Sequence, residues 1–440
     1  MDWYDPPKRR WFNLRVVAWA MFDTGATVFS MLVISRYFGP WVVKEMGGKV
    51  GQFNDAIWIS LLVAATIQIL LSPISDELGR RRVFVVGFTL LCVSACSLMG
   101  VGGTLTRGLL LFGVANVGYQ TAMVFYNAML GDVADQRHMA RISGIGVGIG
   151  YVGSIVGLLI SARYVDTESH HYSSAFPLAA IMFLGFALPL FLFVKEKPSL
   201  VRLNLAQSLT NSIGSFVTTL RRVARHREML YFFIGCLLAL DAVNAVTVNM
   251  SLYCEDVVGL DPVEGFTPMW MGHALFGVKI SQIDLFLIIS TVFAIFGSFI
   301  IGHISDKTSH YKTLLVVLVL WMAALVLAMF GVGVHKKLFW FTGPMFGLGF
   351  GGIWTVSRAY LQELCHPEER SQMFAIFGLV GRYSAIIGTF AWSQTFHLCN
   401  YFQIDERKAS RISIAVVLVL LCIGFWVLLN ARPKAENPRR

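Results

Sequence analysis

The sequence predicts an all-α integral membrane protein whose twelve transmembrane helices form two related halves of six helices each. Three observations support this fold class. Of the 440 residues, 56% are hydrophobic and only 14% are charged, whereas soluble domains carry about 25% charged residues. The chain contains twelve apolar runs near the length that a helix needs to cross a bilayer. Two pairs of loop motifs recur at one separation, which indicates an internal duplication.

The twelve apolar runs each approach the roughly 20 residues that cross a hydrocarbon core. The first run is too long for the apolar part of a secretory signal peptide and has no small-residue cleavage site after it. We therefore predict membrane spans at 16–38, 55–74, 83–101, 106–130, 142–162, 176–194, 229–251, 281–303, 313–333, 338–361, 372–396 and 411–430.

Lysines and arginines are distributed unevenly between the two sides of the predicted bundle. If the N-terminus is cytoplasmic, most of the 36 Lys and Arg residues lie on the cytoplasmic side, as the positive-inside rule requires. We therefore predict a multi-pass membrane protein with both termini in the cytoplasm. Compact loops favour a bacterial cytoplasmic (inner) membrane. The net charge of +10 follows from this orientation, so no nucleic-acid partner is predicted.

A long basic segment separates the two groups of six spans. We predict an N-terminal six-helix half at 1–194, a basic cytoplasmic linker at 195–228, and a C-terminal six-helix half with a cytoplasmic tail at 229–440. The linker is amphipathic, which is compatible with a helix that lies on the cytoplasmic surface. A specific partner site is the alternative to a plain linker.

Charged motifs repeat in the loops of the two halves. The loop between spans two and three contains LSPISDELGRRR (71–82), and the loop between spans eight and nine contains GHISDKTSHYK (302–312). Asp76 and Asp306 lie 230 residues apart, and each belongs to an Ile-Ser-Asp triplet. A second pair of segments, at 126–146 and 357–378, recurs at nearly the same separation. Two matches at one offset indicate duplicated halves.

These motifs resemble those of the major facilitator superfamily. The run Ser72-x-x-x-Asp76-x-x-Gly79-Arg80-Arg81-Arg82 resembles the G-x-x-x-D-x-x-G-R-R/K signature of that superfamily, with serine in place of the first glycine. Gly302-x-x-x-Asp306 is similar to its degenerate second copy. Segments 18–30, 126–159 and 347–388 resemble the vacuole-effluxer-like family, which is named after a fungal vacuolar amino-acid exporter of autophagy.

The resemblance implies a secondary transporter that moves a small solute by alternating access. Export of amino acids or similar small zwitterions is the activity that it implies. It also implies a cytoplasmic charge cluster that latches the two halves together in the outward-facing state. We assign to this latch Asp76, Gly79, Arg80, Arg81, Asp132, Asp306 and Glu363. A role in membrane orientation alone is the alternative for these charges.

Ionisable side chains inside the predicted spans are candidate substrate or coupling groups, because an unpaired charge in hydrocarbon is energetically unfavourable. Asp241 and Arg382 lie near the middle of spans seven and eleven, and Asn244 follows Asp241 by about one helical turn. A structural ion pair between spans is the alternative for each of these charged groups, and it is an equal alternative for Asp23 and Arg358, in spans one and ten. An acidic group can take an ammonium or a proton, and an arginine can hold a carboxylate.

The sequence predicts no catalytic residues, no cofactor and no metal site, and therefore no enzyme. It lacks a phosphate-binding loop of the G-x-x-x-x-G-K-[ST] type and a Ser/His/Asp constellation. The predicted partners are a small-molecule substrate, the proton as a candidate coupling ion, and the lipid bilayer around a monomer. Two alternatives stay open: a proton-coupled exporter of drugs or other metabolites, and a transport-inactive membrane receptor or scaffold.

Overall fold

The structure, a computed structural model, describes residues 14–78, 80–133, 139–194, 214, 218, 221, 223–267, 269–270, 273–274, 279–365 and 370–431. This part of the chain is mostly helical. Ten of its helices are long and apolar enough to cross a membrane. The protein is therefore a multi-pass membrane protein, as predicted.

The first six predicted spans correspond to six long helices. These are α1 (Leu14–Phe29), α3 (Val50–Leu78), α4 (Arg81–Met99), α5 (Leu105–Ala128), α7 (Met139–Tyr164) and α8 (Ala175–Phe193). Two short helices, α2 (Phe38–Pro40) and α6 (Leu130–Val133), lie between them.

The last six predicted spans correspond to seven helices, because the eleventh span is interrupted. They are α9 (Arg227–Tyr253), α10 (Gln282–Lys307), α11 (His310–Val334), α12 (Thr342–Leu364), α13 (Arg370–Tyr383), α14 (Ala385–Tyr401) and α15 (Glu406–Leu429). Between α9 and α10, strands β1 (Gly265–Phe266) and β4 (Ile280–Ser281) pair antiparallel, as do β2 (Met269–Trp270) and β3 (His273–Ala274).

The first span is longer than predicted. Helical backbone continues beyond residue 38 through a π-helical segment (Ser30–Tyr37), α2 and a second π-helical segment (Trp41–Glu45). Pro40 does not end the helix, although it has no N–H to offer the carbonyl of Arg36 four residues earlier. That carbonyl accepts a hydrogen bond from the Ser251 hydroxyl, with 3.0 Å between the oxygens. A contact from a distant helix thus satisfies the group that proline leaves open.

The described residues form two compact units. Those between 14 and 34, between 63 and 165, and between 172 and 194 belong to the first, and those between 35 and 62, between 166 and 171, and between 214 and 431 belong to the second. The second unit therefore includes the helical hairpin at 35–62, which we call the outer hairpin. We call the end of the unit that carries its turn, at residues 46–49, the outer end.

Glycines allow close helix packing inside each unit. In the first unit, a Cβ added to Gly118 on α5 would lie 2.7 Å from the carbonyl oxygen of Phe88 on α4. In the second unit, a Cβ at Gly351 on α12 would lie only 2.0 Å from the carbonyl oxygen of Ala294 on α10. Small residues at such crossings let backbones approach each other, which is typical of membrane helices.

Candidate functional site

Asp241 is a fully buried carboxylic acid on α9, in the second unit. Its side chain is 0% exposed, and neither carboxyl oxygen has a hydrogen-bond partner of normal geometry among the described residues. The backbone of Ile387 and Gly388 on α14 lies beside the carboxyl. A Cβ added to Gly388 would come within 2.9 Å of Oδ2, so glycine at this position leaves room for the acid. An unpaired buried carboxylate is unfavourable, so this acid requires a proton or a cation.

The interruption of the eleventh span lies next to Asp241. α13 ends at Tyr383 and α14 begins at Ala385. The Ser384 hydroxyl donates to the carbonyl oxygen of Gly381 at 3.0 Å, a local bond that competes with regular helical bonding. Asn244 Nδ2 in turn donates to Ser384 Oγ at 2.9 Å.

Asp241, Asn244 and Ser384 therefore form one polar group of residues, which we call the midplane cluster. Asp241 and Asn244 share one face of α9, and Ser384 belongs to the helix beside them. The N-terminal turn of α14 adds backbone N–H groups, which favour an anion or a polar ligand at this place. The sequence predicted Asp241 and Asn244 as a pair, but it did not identify Ser384.

The two arginines of the predicted site are placed differently. Arg382 lies on α13, two residues before Ser384, but its side chain is outside the described part of the chain. Its contact with substrate therefore stays a prediction. Arg358 on α12 is exposed, and its guanidinium carbon lies 5.7 Å from the centre of the Trp354 ring. At that distance a cation is attracted by the face of the ring.

Asp23 lies in the first unit beside an aromatic stack. It is partly buried, and a Cβ added to Gly150 on α7 would lie 3.5 Å from its Oδ2. The Tyr126 ring is stacked between Trp19, at 4.6 Å between ring centres, and Phe22, at 4.7 Å. The Tyr126 hydroxyl is buried and has no hydrogen-bond partner among the described residues. Both interpretations of Asp23, as a structural and as a substrate residue, stay predictions.

Several members of the predicted latch lie outside the described residues. Gly79 is one of them, and so are the side chains of Asp76 and Asp132. Arg81 is described, and its Nη1 donates to the carbonyl oxygen of Ala128 at 3.2 Å. This bond joins the start of α4 to the end of α5.

The remaining latch residues lie at helix ends. Arg80 is exposed just before α4, and Asp306 is exposed in the last turn of α10. Glu363 on α12 lies 3.5 Å from the imidazole Nε2 of His310 on α11, measured to Oε1. Glu363 therefore links two helices of the second unit, and its part in a latch stays a prediction.

Sequence reasoning missed a buried ion pair of the outer hairpin. Arg36 Nε lies 2.5 Å from Oδ1 of Asp284, and their side chains are 0% and 3% exposed. Ser281 Oγ donates to the other carboxyl oxygen at 2.7 Å, and Arg36 Nη1 donates to Ser251 Oγ at 3.3 Å. Both charges fall inside predicted spans, so the rule that selected Asp241 would also have selected them.

A second missed group surrounds Asp55 on α3. Its Oδ1 accepts hydrogen bonds from Ser393 Oγ at 2.6 Å and from Trp58 Nε1 at 2.9 Å. Its Oδ2 lies 2.8 Å from Nε2 of His397 on α14. One carboxylate thus joins the outer hairpin to the end of the eleventh span.

Two further contacts hold the outer hairpin. The side-chain amides of Asn54 and Asn249 exchange hydrogen bonds of 2.9 and 3.0 Å. Lys44 forms an ion pair with Asp256 and lies 4.0 Å from Glu255. The hairpin is therefore attached to the rest of the second unit by charged and amide groups as well as by apolar packing.

Comparison with known proteins agrees with this architecture. The family model of the Major Facilitator Superfamily matches residues 17–389, with a second match at 267–440. The chain belongs to the major facilitator superfamily. It is accordingly a membrane transporter and not an enzyme, as predicted.

Relatives of this superfamily member span most of its length. An uncharacterized protein of Aquifex aeolicus is 25% identical over 421 residues, which is 96% of this chain and 97% of the relative. Uncharacterized MFS-type transporter YxiO of Bacillus subtilis is 22% identical over 95% of this chain and 94% of its own. Autophagy-related protein 22 of Vanderwaltozyma polyspora is 21% identical over 83% of this chain and 72% of its own. The predicted resemblance to the vacuole-effluxer-like family is thereby confirmed.

Solved structures share the fold of this superfamily member. The nucleoside transporter NupG aligns with a TM-score of 0.73 and 11% identity over 96% of this chain and 100% of its own. A bacterial homolog of the human lysosomal transporter Spinster, in an inward-facing and unoccupied conformation, aligns with a TM-score of 0.70 and 11% identity over 95% and 96% of the two chains. At these identities the likeness concerns the fold.

Proposed function

We propose that this transporter is a secondary active exporter of amino acids or similar small zwitterions, which works by alternating access and couples transport to protons at Asp241. The observation that carries the proposal is the fully buried carboxyl group of Asp241, which has no hydrogen-bond partner of normal geometry among the described residues. A group of this kind is unfavourable as structure alone, because burial removes water and no hydrogen bond of normal geometry among the described residues replaces it.

The chemistry of a buried acid supports a coupling role. A carboxylate in a low-dielectric site is favourable only when a proton, an ammonium group or water neutralises or solvates it. Exposure of Asp241 to one side of the membrane allows it to release a proton, and enclosure favours the protonated form. A conformational change that moves Asp241 between these environments therefore lets its carboxyl group bind a proton on one side of the membrane and release it on the other.

The polar neighbours of Asp241 support a small zwitterionic substrate. Asn244 and Ser384 offer an amide and a hydroxyl beside the acid, and they already form a 2.9 Å hydrogen bond. Arg382, on the same span as Ser384, is proposed to hold a carboxylate through its planar guanidinium. An acid and an arginine at one depth suit a ligand that carries both an ammonium and a carboxylate.

The relatives support the direction and the location that we propose. Similarity to a fungal Autophagy-related protein 22 over 83% of the chain supports an effluxer, in line with the family resemblance. Full-length relatives from two bacteria support a bacterial cytoplasmic membrane. The basic loops support cytoplasmic termini.

Transport by purified protein in liposomes tests the proposal. Vesicles are loaded with a radiolabelled mixture of amino acids, and a pH gradient is imposed in either direction. We expect substrate movement that depends on the gradient, and we expect Asp241→Asn to lose this dependence. Glu168→Gln, which changes an exposed acid in a loop, is the matched control and keeps it.

Three results would point elsewhere. Gradient-driven movement of cationic drugs or nucleosides, with no movement of amino acids, would favour the alternative exporter. Folded protein that moves no solute of any class would favour a receptor or scaffold. Asp241→Asn protein with an unchanged pH response would remove Asp241 from coupling.

A further inference from the structure

We propose that His397 and Asp55 form a proton-binding site that controls the docking of the outer hairpin. The site uses neither the midplane cluster nor any residue of the predicted latch. It concerns the outer end of the second unit, and its test requires no knowledge of the transported solute.

The geometry places one titratable side chain at a joint between two elements. His397 Nε2 on α14 lies 2.8 Å from Oδ2 of Asp55 on the outer hairpin. The other carboxyl oxygen is already used by Ser393 and Trp58, so Asp55 is held in place with Oδ2 directed at the imidazole. A Cβ added to Gly51, one turn before Asp55, would lie 3.0 Å from the imidazole Cε1. The ring therefore packs closely against the hairpin.

The joint is partly exposed while the hairpin is docked. The side chains of His397 and Asp55 are 44% and 28% exposed, and we infer that protons reach them at the outer end without a structural change. The pair Arg36–Asp284, by contrast, is almost completely buried, and arginine stays protonated at all physiological pH values. The pair Arg36–Asp284 therefore keeps its arginine charge throughout this pH range, whereas the proposed site between His397 and Asp55 responds to pH.

Other charged groups at the outer end differ from His397 in their chemistry. Lys44 contacts Asp256 on the continuation of α9, and a lysine ammonium of this kind keeps its charge near neutrality. The backbone N–H groups of Glu264 and Val263 hold the pKa of Asp261 below its usual range, so Asp261 also keeps its charge. On the hairpin itself, Glu45 carries a carboxyl group and Lys49 an ammonium group, and neither is an imidazole.

Imidazole side chains titrate between about pH 5 and 8, and His170 is a second histidine of the outer end. It lies close enough to Glu255 to interact with it electrostatically. His170 therefore has to be separated from His397 by experiment.

The direction of the effect follows from linkage. Protonated His397 makes a charge-assisted hydrogen bond to Asp55 only while the hairpin is docked, so protonation of the imidazole and docking of the hairpin favour each other. Reciprocally, protonation stabilises the docked hairpin at acidic pH, and this stabilisation is lost as the pH rises and the imidazole becomes neutral. For a half-exposed pair, we expect the ratio of docked to undocked hairpin to fall about three- to tenfold between pH 5.5 and pH 8.

Distance measurements between spin labels test this in nanodiscs. One label is placed at Lys49→Cys, which is exposed at the turn of the hairpin. The other is placed at Tyr401→Cys, which is 81% exposed at the end of α14. Cys422 is the exposed native cysteine and is replaced by serine, while the other six cysteines are buried and react slowly. Double electron–electron resonance is recorded from pH 5.5 to pH 8.

We expect the longer-distance population to grow with pH in the wild-type background. His397→Gln and Asp55→Asn should remove the pH dependence. His397→Lys, which carries a fixed charge, should keep the short distance at pH 8, and this gain of docking cannot arise from misfolding. His310→Gln is the control. It removes a His–carboxylate contact, to Glu363 on α12, that does not involve the hairpin, and it should keep the wild-type pH response.

The proposal is overturned if the wild-type distances do not change with pH. It is also overturned if His397→Gln keeps the response, or if His170→Gln removes it while His397→Gln does not. These readouts contain no transport step. A failure of the proposed export function would therefore leave them unchanged, and a failure here would leave the liposome result unchanged.

Discussion

Removal of one partner from the buried pair Arg36–Asp284 is expected to destabilise the protein strongly, and the loss should depend on which partner is removed. The two side chains are 0% and 3% exposed, and Arg36 Nε lies 2.5 Å from Asp284 Oδ1. Loss of one partner from such a pair typically costs about 3–5 kcal/mol, because the other charge stays buried without compensation. Asp284→Asn leaves a guanidinium that cannot lose its proton. Arg36→Met leaves the Asp284 carboxylate, which neighbouring groups also stabilise.

That support is visible around Asp284. Ser281 Oγ donates to Oδ2 at 2.7 Å, and the Asp284 N–H is bonded to Ser281 Oγ at 3.1 Å. Asp284 also lies in the first turn of α10, where a negative charge interacts favourably with the helix by about 0.3–1 kcal/mol. We therefore expect Asp284→Asn to lower the free energy of unfolding by about 5 kcal/mol and Arg36→Met to lower it by about 3 kcal/mol, the two ends of that range.

Thermal unfolding of detergent-purified protein, followed by fluorescence-detected gel filtration, measures this order. For a chain of this length, losses of this size correspond to a fall of about 3–5 °C in Tm. The double variant Arg36→Met/Asp284→Met should recover part of the loss, since no unpaired charge remains. Lys44→Met breaks a pair whose side chains are 29% and 18% exposed, and this control should cost at most about 1 kcal/mol.

Equal unfolding temperatures of Arg36→Met and Lys44→Met would contradict this expectation. A double variant that is no more stable than Asp284→Asn would contradict it as well. Either result would show that the surrounding groups solvate the charges without the pair.

Three further outcomes are expected. Asp241→Asn should abolish pH-driven accumulation of substrate but preserve counterflow exchange, whereas Arg382→Ala should lose both activities. Unchanged transport per folded molecule in both variants would show that the two residues are structural. Asp76→Asn should slow turnover, measured in liposomes, without changing equilibrium substrate binding, because it changes the conformational equilibrium at a position remote from the binding site. Wild-type turnover would limit the role of Asp76 to membrane orientation. In thermal unfolding, Gly351→Ala should lower the melting temperature far more than Gly148→Ala. The Cβ added at Gly351 would lie 2.0 Å from the Ala294 carbonyl oxygen, whereas no atom lies within 4 Å of a Cβ added at Gly148. Equal melting temperatures would contradict the close packing of α10 and α12.

Local features of the sequence were sufficient for the class of protein and for the order of its helices. Hydrophobicity over about 20 residues is a property of each segment by itself, so the runs that contain Asp23, Asp241 and Arg382 could be assigned to spans without tertiary information. The repeated motifs around Asp76 and Asp306 likewise lie in the sequence as short strings. The same information predicted the superfamily and two members of the midplane cluster, Asp241 and Asn244.

Tertiary structure alone decided how the buried polar groups are paired. Arg36 and Asp284 are 248 residues apart in sequence, and Asp55 and His397 are 342 residues apart. No periodicity connects such positions, because a contact of this separation depends on how several helices pack at once. The break at Ser384 has the same origin: its hydroxyl bonds to Gly381 while Asn244 donates to it. The sequence showed that Asp241 lies within a span, and only the packing around it decided that its carboxyl group is fully buried and lies next to the interruption of the eleventh span.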